Sequence, residues 1–222
     1  MIQILSNYGD LLLRAMGQTL LLALCGLLFG TLLGMIFGIL SVVKNKVCNV
    51  IAMIFVDVVR GVPMIVLAFF VFFGVPYCLN NMMGLSATLT ALQAGTICLA
   101  LNCGAYMAEI IRAGIQSVDK GQMEAARSLG LPYWRAMQRV VLQAIRTMVP
   151  SIINQFIITL KDTSILSVIG FPELVNTAKN VVANTFKSFQ VWTIVGIMYL
   201  IIILILSKAA KRLERSWSRG RQ

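Results

Sequence analysis

Five long apolar stretches constrain this chain of 222 residues more than any other feature of its sequence. Hydrophobic residues make up 59% of the chain and charged residues only 12%, a composition too apolar for an ordinary soluble domain. About 20 consecutive apolar residues in a helix cross the roughly 30 Å hydrocarbon core of a bilayer. We therefore predict an all-α, polytopic membrane protein, with a single transmembrane domain over residues 1–222. The five expected spans are residues 11–43, 51–77, 87–111, 140–169 and 189–207.

Basic residues concentrate in the segments that lie between alternate spans. Segments 44–49, 112–146 and 208–222 contain two, six and six of them, fourteen of the 19 Lys and Arg residues. Because cytoplasmic loops of membrane proteins carry an excess of Lys and Arg, we expect the N-terminus outside and the C-terminus in the cytoplasm. The formal net charge of +11 then reflects orientation and contact with membrane lipid, and we expect no nucleic-acid partner.

The sequence lacks His, the commonest general base and metal ligand, and the usual motifs of metal and nucleotide binding. The chain has no His, its five Cys show no CxxC spacing, and no GxxxxGK[ST] segment is present to hold nucleotide phosphates. We therefore expect no catalytic residues, no metal and no cofactor. If the protein works with ATP, a separate subunit binds and hydrolyses it.

Glycine recurs every four residues in the first span, at Gly26, Gly30, Gly34 and Gly38. This spacing puts the glycines on one helix face, where another backbone can approach closely. The ridge indicates either a subunit interface or a tight contact inside the helix bundle, and the sequence does not choose between them.

A short helix is expected in the long basic segment between the third and fourth spans. Asp119 is suited to cap its N-terminus, with Gln122 three residues later as in a capping box, and Gly130 followed by Pro132 ends it. We predict this helix over residues 120–129.

One face of this short helix is small and apolar. Met123, Ala126 and Gly130 share it, and Arg127 lies beside it. Such a face suits docking into a groove on a partner, and equally an orientation flat on lipid headgroups.

Residues 124–142 resemble the EAA loop of the membrane subunits of ATP-binding cassette importers. That pattern is Glu-Ala-Ala, three residues, Gly, nine residues, and then Ile-x-Leu-Pro. Val140 replaces Ile conservatively, and Gln143 stands where proline is usual. The residues that match the pattern are Glu124, Ala125, Ala126, Gly130 and Leu142.

Three further segments resemble the polar amino-acid branch of the same family. They are RGVP at 60–63 with FGVP at 73–76, AYMAEIIRAG at 105–114, and LKDTS at 160–164. The resemblance implies a permease subunit of the bacterial inner membrane that pairs with a second permease subunit, identical or different. It also implies two cytoplasmic ATPase subunits as partners, with residues 120–129 as the coupling helix in a cleft of the ATPase, and an extracytoplasmic solute-binding protein that delivers an amino acid.

Arg60 is an ionisable residue at membrane depth. It lies nine residues into the second span, roughly 13 Å at 1.5 Å per residue, and the following Gly61 and Pro63 predict a break or kink beside it. Broken helices at mid-membrane line binding cavities in many transporters. Asp57, three residues earlier, is a candidate for the same site, although a local Asp57–Arg60 ion pair would also account for both charges.

A second polar group, Lys161 to Ser164, lies at a similar depth in the fourth span. Asp162 would oppose a ligand ammonium, Thr163 and Ser164 would form neutral hydrogen bonds, and Arg60 would match a carboxylate. Together these groups suit an amino-acid zwitterion. A Lys161–Asp162 pair that holds the helices in register is the alternative.

The third span contributes weaker candidates. Glu109 is either a selector of the substrate side chain, an inner-gate residue, or simply a partner of Arg112 one turn later. We expect Asn102 and Gln93 to form helix–helix hydrogen bonds rather than ligand contacts. Residues 174–188, beyond the fourth span, form either an outer cap against the binding protein or a plain connector.

The leading interpretation is the permease subunit of an ATP-driven importer, which moves a polar or charged amino acid inward by alternating access. An ATP-independent secondary carrier or channel subunit is the alternative, and five spans without an evident internal repeat argue against it. A membrane scaffold that only presents its basic loop would not need charges at mid-depth. The sequence leaves cystine, glutamine, glutamate and basic amino acids open as substrates.

Overall fold

The structure is a computed structural model that describes the backbone of residues 1–84 and 86–218. Side chains at positions 120, 123, 133, 134, 137–143, 146 and 213–218 also lie outside the described part. All regular elements of the described residues are helical. They are α1 (Ile2–Leu40), α2 (Lys46–Gly61), α3 (Met64–Phe69), a π-helical turn (Phe70–Gly74), α4 (Val75–Met83), α5 (Ala91–Gln116), α6 (Lys120–Ser128), α7 (Tyr133–Asp162), a 3₁₀ segment (Thr163–Ile169), α8 (Leu174–Thr185) and α9 (Ser188–Ser218).

Five helical segments of the described residues are long and apolar enough to cross a membrane. The expected all-α fold with five spans is therefore confirmed. The membrane-length segments are Ile2–Leu40, Met64–Met83, Ala91–Gln116, Thr147–Ile169 and Ser188–Arg212.

The second span is broken beside Arg60, as expected, but its membrane-length part begins later than residue 51. Helix α2 ends at Gly61, Val62 is extended with φ −97° and ψ 131°, and α3 starts directly after Pro63. Proline has no N–H to donate and disfavours helical backbone at the preceding residue, so the helix stops there. The chain continues through α3, the π-helical turn and α4 as the segment Met64–Met83.

The glycine ridge of α1 packs against α5. A Cβ atom added at Gly30 would lie 2.8 Å from the Cβ of Cys103, and one at Gly26 would lie 2.5 Å from the Cβ of Leu99. Gly34 and Gly38 face Met107 and Ile111 of α5 in the same way. The ridge therefore forms a tight contact inside the helix bundle, which is one of the two interpretations that the sequence left open.

Most of the segment 174–188 forms α8 (Leu174–Thr185), which packs into the bundle. Its apolar face, with Leu174, Ala178 and Val181, joins a buried cluster that includes Leu12 of α1 and Val191 of α9. The apolar positions of α8 recur at spacings of three and four, so they lie on one face. This segment is thus part of the packed fold.

Glu173 caps α8 from a fully buried position. Its carboxylate accepts hydrogen bonds from the backbone N–H groups of Val175, at 2.8 Å, and Asn176, and Tyr199 donates its hydroxyl at 3.3 Å. Burial raises the pKa of Glu173 above its ordinary value of 4.5, although the hydrogen bonds and the nearby Lys179 act in the opposite direction. The carboxyl group therefore anchors α8 without contact to water.

Candidate functional site

A cavity of about 500 Å³ lies between the break after α2, the middle of α5 and the C-terminal part of α7. Asn102, one of its lining residues, is the twelfth of the 26 residues of α5, so the cavity lies near mid-depth of that membrane-length helix. Its lining residues are Arg60, Gly61, Val62, Pro63 and Met64 from the break, Asn102 and Tyr106 from α5, and Gln155, Ile158 and Asp162 from α7.

Helix periodicity explains why polar side chains meet at this cavity. Residues three, four or seven positions apart share one face of a helix. On α5 this applies to Asn102, Tyr106 and Glu109. On α7 it applies to Gln155 and Asp162, which are seven residues apart. The two polar faces lie opposite each other, and Arg60 enters between them from the end of α2.

Arg60 contacts two residues of α5. Its guanidinium carbon lies 4.9 Å from the centre of the Tyr106 ring, and its Nη1 lies 3.7 Å from Oε2 of Glu109. A guanidinium over an aromatic face is a cation–π contact. The alternative explanation, a local pair of Arg60 with Asp57, is therefore wrong, because the ion-pair partner of Arg60 within the described residues is Glu109.

Glu109 also pairs with Arg112, as the sequence suggested. Nη2 of Arg112 lies 2.7 Å from Oε1 of Glu109, one helical turn away. Asp57 lies near this pair but does not line the cavity that Arg60 lines. It lines a separate pocket of about 40 Å³ together with Glu109 and Arg112. The structure therefore brings Glu109 to Arg60 and leaves Asp57 outside the cavity that Arg60 lines.

Asp162 faces the cavity from α7. Nδ2 of Asn102 donates a hydrogen bond of 3.2 Å to its Oδ2, so the expected helix–helix hydrogen bond of Asn102 is confirmed. In the described residues Asp162 is bonded to Asn102 and not to Lys161, whose side chain is exposed. The expectation for Gln93 is wrong, because its side chain accepts from the N–H of Thr90 and completes the capping box of α5.

Thr163 and Ser164 do not line the cavity. The hydroxyl of Thr163 donates to the carbonyl of Leu160 and that of Ser164 to the carbonyl of Lys161, each at 2.7 Å. Ser and Thr hydroxyls commonly return to the preceding turn in this way. The structure thus brings Asp162 to the cavity but turns the two following side chains back to their own backbone.

Two cavity residues were missed by the sequence argument. Tyr106 supplies the ring beneath Arg60, and Gln155 lines the wall on α7, where its Nε2 donates to Oγ1 of Thr159 at 3.4 Å. A signal for both was present. Tyr106 lies one turn from Asn102, and Gln155 lies two turns from Asp162 on the same face.

The short helix expected over 120–129 is α6, Lys120–Ser128. Asp119 caps it, but its Oδ1 accepts from the N–H of Gly121 at 2.7 Å rather than completing a capping box with Gln122. After α6 the chain turns at Gly130, whose φ of +78° favours glycine, and the N–H of Leu131 donates to the carbonyl of Ala126.

The proposed docking residues of α6 are largely accessible. Glu124, Ala125, Arg127 and Gly130 are exposed, and Ala126 is half-buried. The side chain of Met123 lies outside the described part of the chain. The described part of α6 thus offers an open surface at the end of the bundle.

The described residues contain five apolar membrane-length segments, a polar cavity between α5, α7 and the break after α2, and a short exposed helix. These features define a polytopic membrane transport protein. Among the described residues, no three His, Cys, Asp or Glu side chains are grouped so that they could hold a metal ion. Residues 30–219 match the model of the binding-protein-dependent transport system inner membrane component family. The chain belongs to that family.

Individual relatives agree with this assignment. The chain is 38% identical over 170 residues to the glutamine transport system permease protein GlnP of Escherichia coli strain K12, covering 76% of this chain and 75% of that protein. It is 39% identical over 168 residues to the probable glutamine ABC transporter permease protein GlnM of Bacillus subtilis strain 168, covering 73% and 74%.

Solved structures show the same fold. A chain in the crystal structure of an amino acid ABC transporter with histidines superposes with a TM-score of 0.87 at 34% identity, over 97% of this chain and 98% of that one. A chain of the MetNI methionine ABC transporter in an inward-facing conformation gives a TM-score of 0.72 at 18% identity, over 93% and 96%, a likeness of fold alone.

Proposed function

We propose that this chain is the permease subunit of an ATP-driven importer of polar amino acids. The observation that carries the proposal is one mid-depth cavity lined by both Arg60 and Asp162. The names of the relatives support the same substrate class, since two are glutamine permeases and a structural neighbour is an amino acid transporter with histidines.

In this proposal the two charges bind the two ends of an amino-acid zwitterion. Arg60 receives the α-carboxylate in its planar fork, and Asp162 receives the α-ammonium. Asn102, which contacts Asp162, and Tyr106, which lies under Arg60, are four residues apart, about 6 Å along the axis of α5. That separation suits the head of one amino acid, and the carboxamides of Asn102 and Gln155 suit a polar side chain.

The other candidate residues act at a distance in this arrangement. Glu109 reaches the substrate site through Arg60, and Thr163 and Ser164 fix the end of α7 that holds Asp162. Asp57 lines the neighbouring pocket. Direct contact of Asp57, Thr163 or Ser164 with substrate would require the cavity to rearrange during transport.

Several partners belong to the proposal. Helix α6 and the turn after it dock in a cleft of a separate ATPase subunit that binds and hydrolyses ATP. The docking residues are Glu124, Ala125, Ala126, Arg127, Gly130 and Met123. Basic loops then lie in the cytoplasm with α6 and the C-terminus, and the N-terminus lies outside, where a solute-binding protein delivers the amino acid.

A second permease subunit completes the membrane part. The segment Met64–Met83 leaves much apolar surface uncovered in this chain, with Phe70 62% and Phe73 59% exposed. This segment continues from the break that lines the cavity, so a neighbour packed on it would close that side. The neighbour is a second copy or a related permease chain.

Substitutions at the cavity test the substrate site. Arg60→Ala and Asp162→Ala are each expected to abolish amino-acid uptake into cells while the transporter still assembles, because each leaves one end of the zwitterion without a partner. Lys161→Ala is the matched control, since Lys161 is charged and exposed beside Asp162. Normal uptake by both cavity variants would overturn the proposed site.

Purification tests the role of α6. The transporter extracted in mild detergent is expected to retain an ATPase subunit, identified by mass spectrometry, and to lose it with Glu124→Arg. Gln122→Arg is the control, because residues two positions apart lie on nearly opposite faces of a helix. If no ATPase is recovered while the permease pair is intact, the ATP-independent carrier becomes the better account.

A further inference from the structure

The carboxylate of Glu109 lies between two guanidinium groups from different helices. Oε1 lies 2.7 Å from Nη2 of Arg112 on its own helix, and Oε2 lies 3.7 Å from Nη1 of Arg60 at the end of α2. Arg60 is the residue assigned above to the substrate carboxylate. The protein therefore holds one of its own carboxylates against the group that is proposed to receive the carboxylate of the substrate.

The two contacts of Glu109 differ in strength. The contact with Arg112 is a hydrogen-bonded pair, whereas 3.7 Å to Arg60 is longer than a hydrogen bond allows. The Arg60 and Glu109 side chains are 38% and 33% exposed, so solvent also weakens their attraction. An incoming carboxylate that forms two hydrogen bonds with the guanidinium is the stronger partner.

Arg60 and Glu109 each have a second partner besides each other. Tyr106 contacts Arg60, and Arg112 pairs with Glu109. The Tyr106 ring lies 4.9 Å from the guanidinium carbon of Arg60, and this contact does not depend on which anion Arg60 binds. Arg112 remains beside Glu109, so neither charge is left without a partner after they separate.

From this arrangement we propose that Glu109 is a resting counter-ion of Arg60 that the substrate carboxylate displaces, while Arg112 retains the displaced Glu109. Glu109 is thus a positioning residue that sets affinity through Arg60 and does not touch the substrate. The inference rests on the proposed function, because it takes Arg60 as the carboxylate site.

The arrangement also selects between substrates. The charged groups that face the Arg60 end of the cavity are Glu109 and Arg112 of α5 and, in the adjoining pocket, Asp57 of α2. A displaced but nearby Glu109 repels a second carboxylate on the ligand. The transported class is therefore amino acids with neutral or cationic polar side chains, and acidic ones are disfavoured.

The proposal predicts that two substitutions change the affinity for the amino acid in opposite directions. Glu109→Gln removes the competing anion and is expected to tighten amino-acid binding by up to about fivefold, the range of a partly exposed ion pair. Arg112→Gln leaves Glu109 to Arg60 alone and is expected to weaken binding by up to about the same factor. If the cluster had a merely structural role, both substitutions would weaken amino-acid binding.

The assay uses the assembled transporter in lipid nanodiscs and an equimolar mixture of the twenty isotope-labelled amino acids. Equilibrium dialysis with mass spectrometry gives the bound species and their dissociation constants. In Glu109→Gln the gain is expected to be largest for glutamate and aspartate. It is expected to be absent for α-carboxamide derivatives, which lack the α-carboxylate and are dialysed separately. Asp10→Asn, which removes an exposed carboxylate from α1, is the matched control.

The outcomes separate this inference from the function on which it rests. If Arg60→Ala abolishes binding while Glu109→Gln and Arg112→Gln bind as the unsubstituted protein does, the counter-ion role is wrong and the substrate site stands. Weaker binding by Glu109→Gln also overturns that role. If Arg60→Ala binds normally, or the unsubstituted transporter binds none of the twenty, both proposals are wrong.

Discussion

Substitution of Gly30 by alanine tests the close packing of α1 against α5. An added Cβ would lie 2.8 Å from the Cβ and 3.0 Å from the Sγ of Cys103, and 3.2 Å from the carbonyl oxygen of Ala100. Cys103 is fully buried, so it has little room to withdraw. Overpacking of this kind costs about 1–3 kcal/mol, whereas alanine in place of glycine in a helix gains about 0.5–1 kcal/mol.

Gly17 of the same helix is the matched control. A Cβ added there meets no atom within 4 Å, so Gly17→Ala should show only the gain in helix stability. For a chain of this size 1 kcal/mol shifts the Tm by about 2–4 °C. We expect Gly17→Ala to raise the Tm by about 1–4 °C and Gly30→Ala to lower it by up to about 10 °C, measured by thermal unfolding in detergent.

A compensating change sharpens this prediction. Cys103→Gly removes the atoms nearest to the new methyl group, so it should recover part of the stability lost in Gly30→Ala. A double-mutant cycle should give an interaction energy of about 1–2 kcal/mol in favour of the exchanged pair. If Gly30→Ala proves as stable as Gly17→Ala, the close contact between α1 and α5 is refuted.

Three further predictions concern Glu173, Asn102 and Gly130. A raised pKa means that folded Glu173 binds its proton more tightly than the unfolded chain does. Its contribution to stability is thus present below the ordinary value of 4.5 and is lost as the pH rises through the folded value. Glutamine does not titrate, so Glu173→Gln should not lose stability in this way. The Tm of the variant should therefore rise relative to that of the unsubstituted protein as the pH is raised from 4 to 8. Asn102→Ala removes the donor to Asp162 and should raise the KM for uptake on the order of tenfold. Gly130→Ala places a side chain at φ +78° and should reduce ATPase recovery, whereas Gly130→Asn should retain it.

Each of these predictions has a result that contradicts it. A difference in Tm between Glu173→Gln and the unsubstituted protein that stays constant from pH 4 to 8 would rule out a perturbed carboxyl. An unchanged KM with Asn102→Ala would mean that the hydrogen bond to Asp162 does not support the site. Equal ATPase recovery from the alanine and asparagine variants at Gly130 would show that the turn after α6 does not matter for docking.

The sequence predicted the number of spans and the break in the second one, because length, hydropathy and proline act locally. It also indicated that the glycine face of α1 has a close partner. It could not name that partner, since Leu99 and Cys103 are typical residues of any apolar helix. Which two helix faces meet is decided by the packing of the whole bundle.

The site was predicted less completely, for a related reason. The alternative pair of Arg60 with Asp57 rests on helical spacing, but α2 ends one residue after Arg60, and the Arg60 side chain extends to Glu109 of α5 instead. The segment Lys161 to Ser164 was treated as one polar group, although consecutive helical residues point about 100° apart. Only Asp162 of that group lines the cavity.

The interlocked α1 and α5 limit how this protein can change shape. Two helices whose backbones meet along four glycine positions cannot slide past each other without steric clash, so they move as one rigid body. Around the cavity, this α1–α5 pair meets the other walls at α7 and at the end of α2. The Asn102–Asp162 hydrogen bond crosses the first boundary and the Arg60–Glu109 pair crosses the second. In the proposed function, a ligand held between Arg60 and Asp162 spans both boundaries, so its binding couples movement at one boundary to movement at the other.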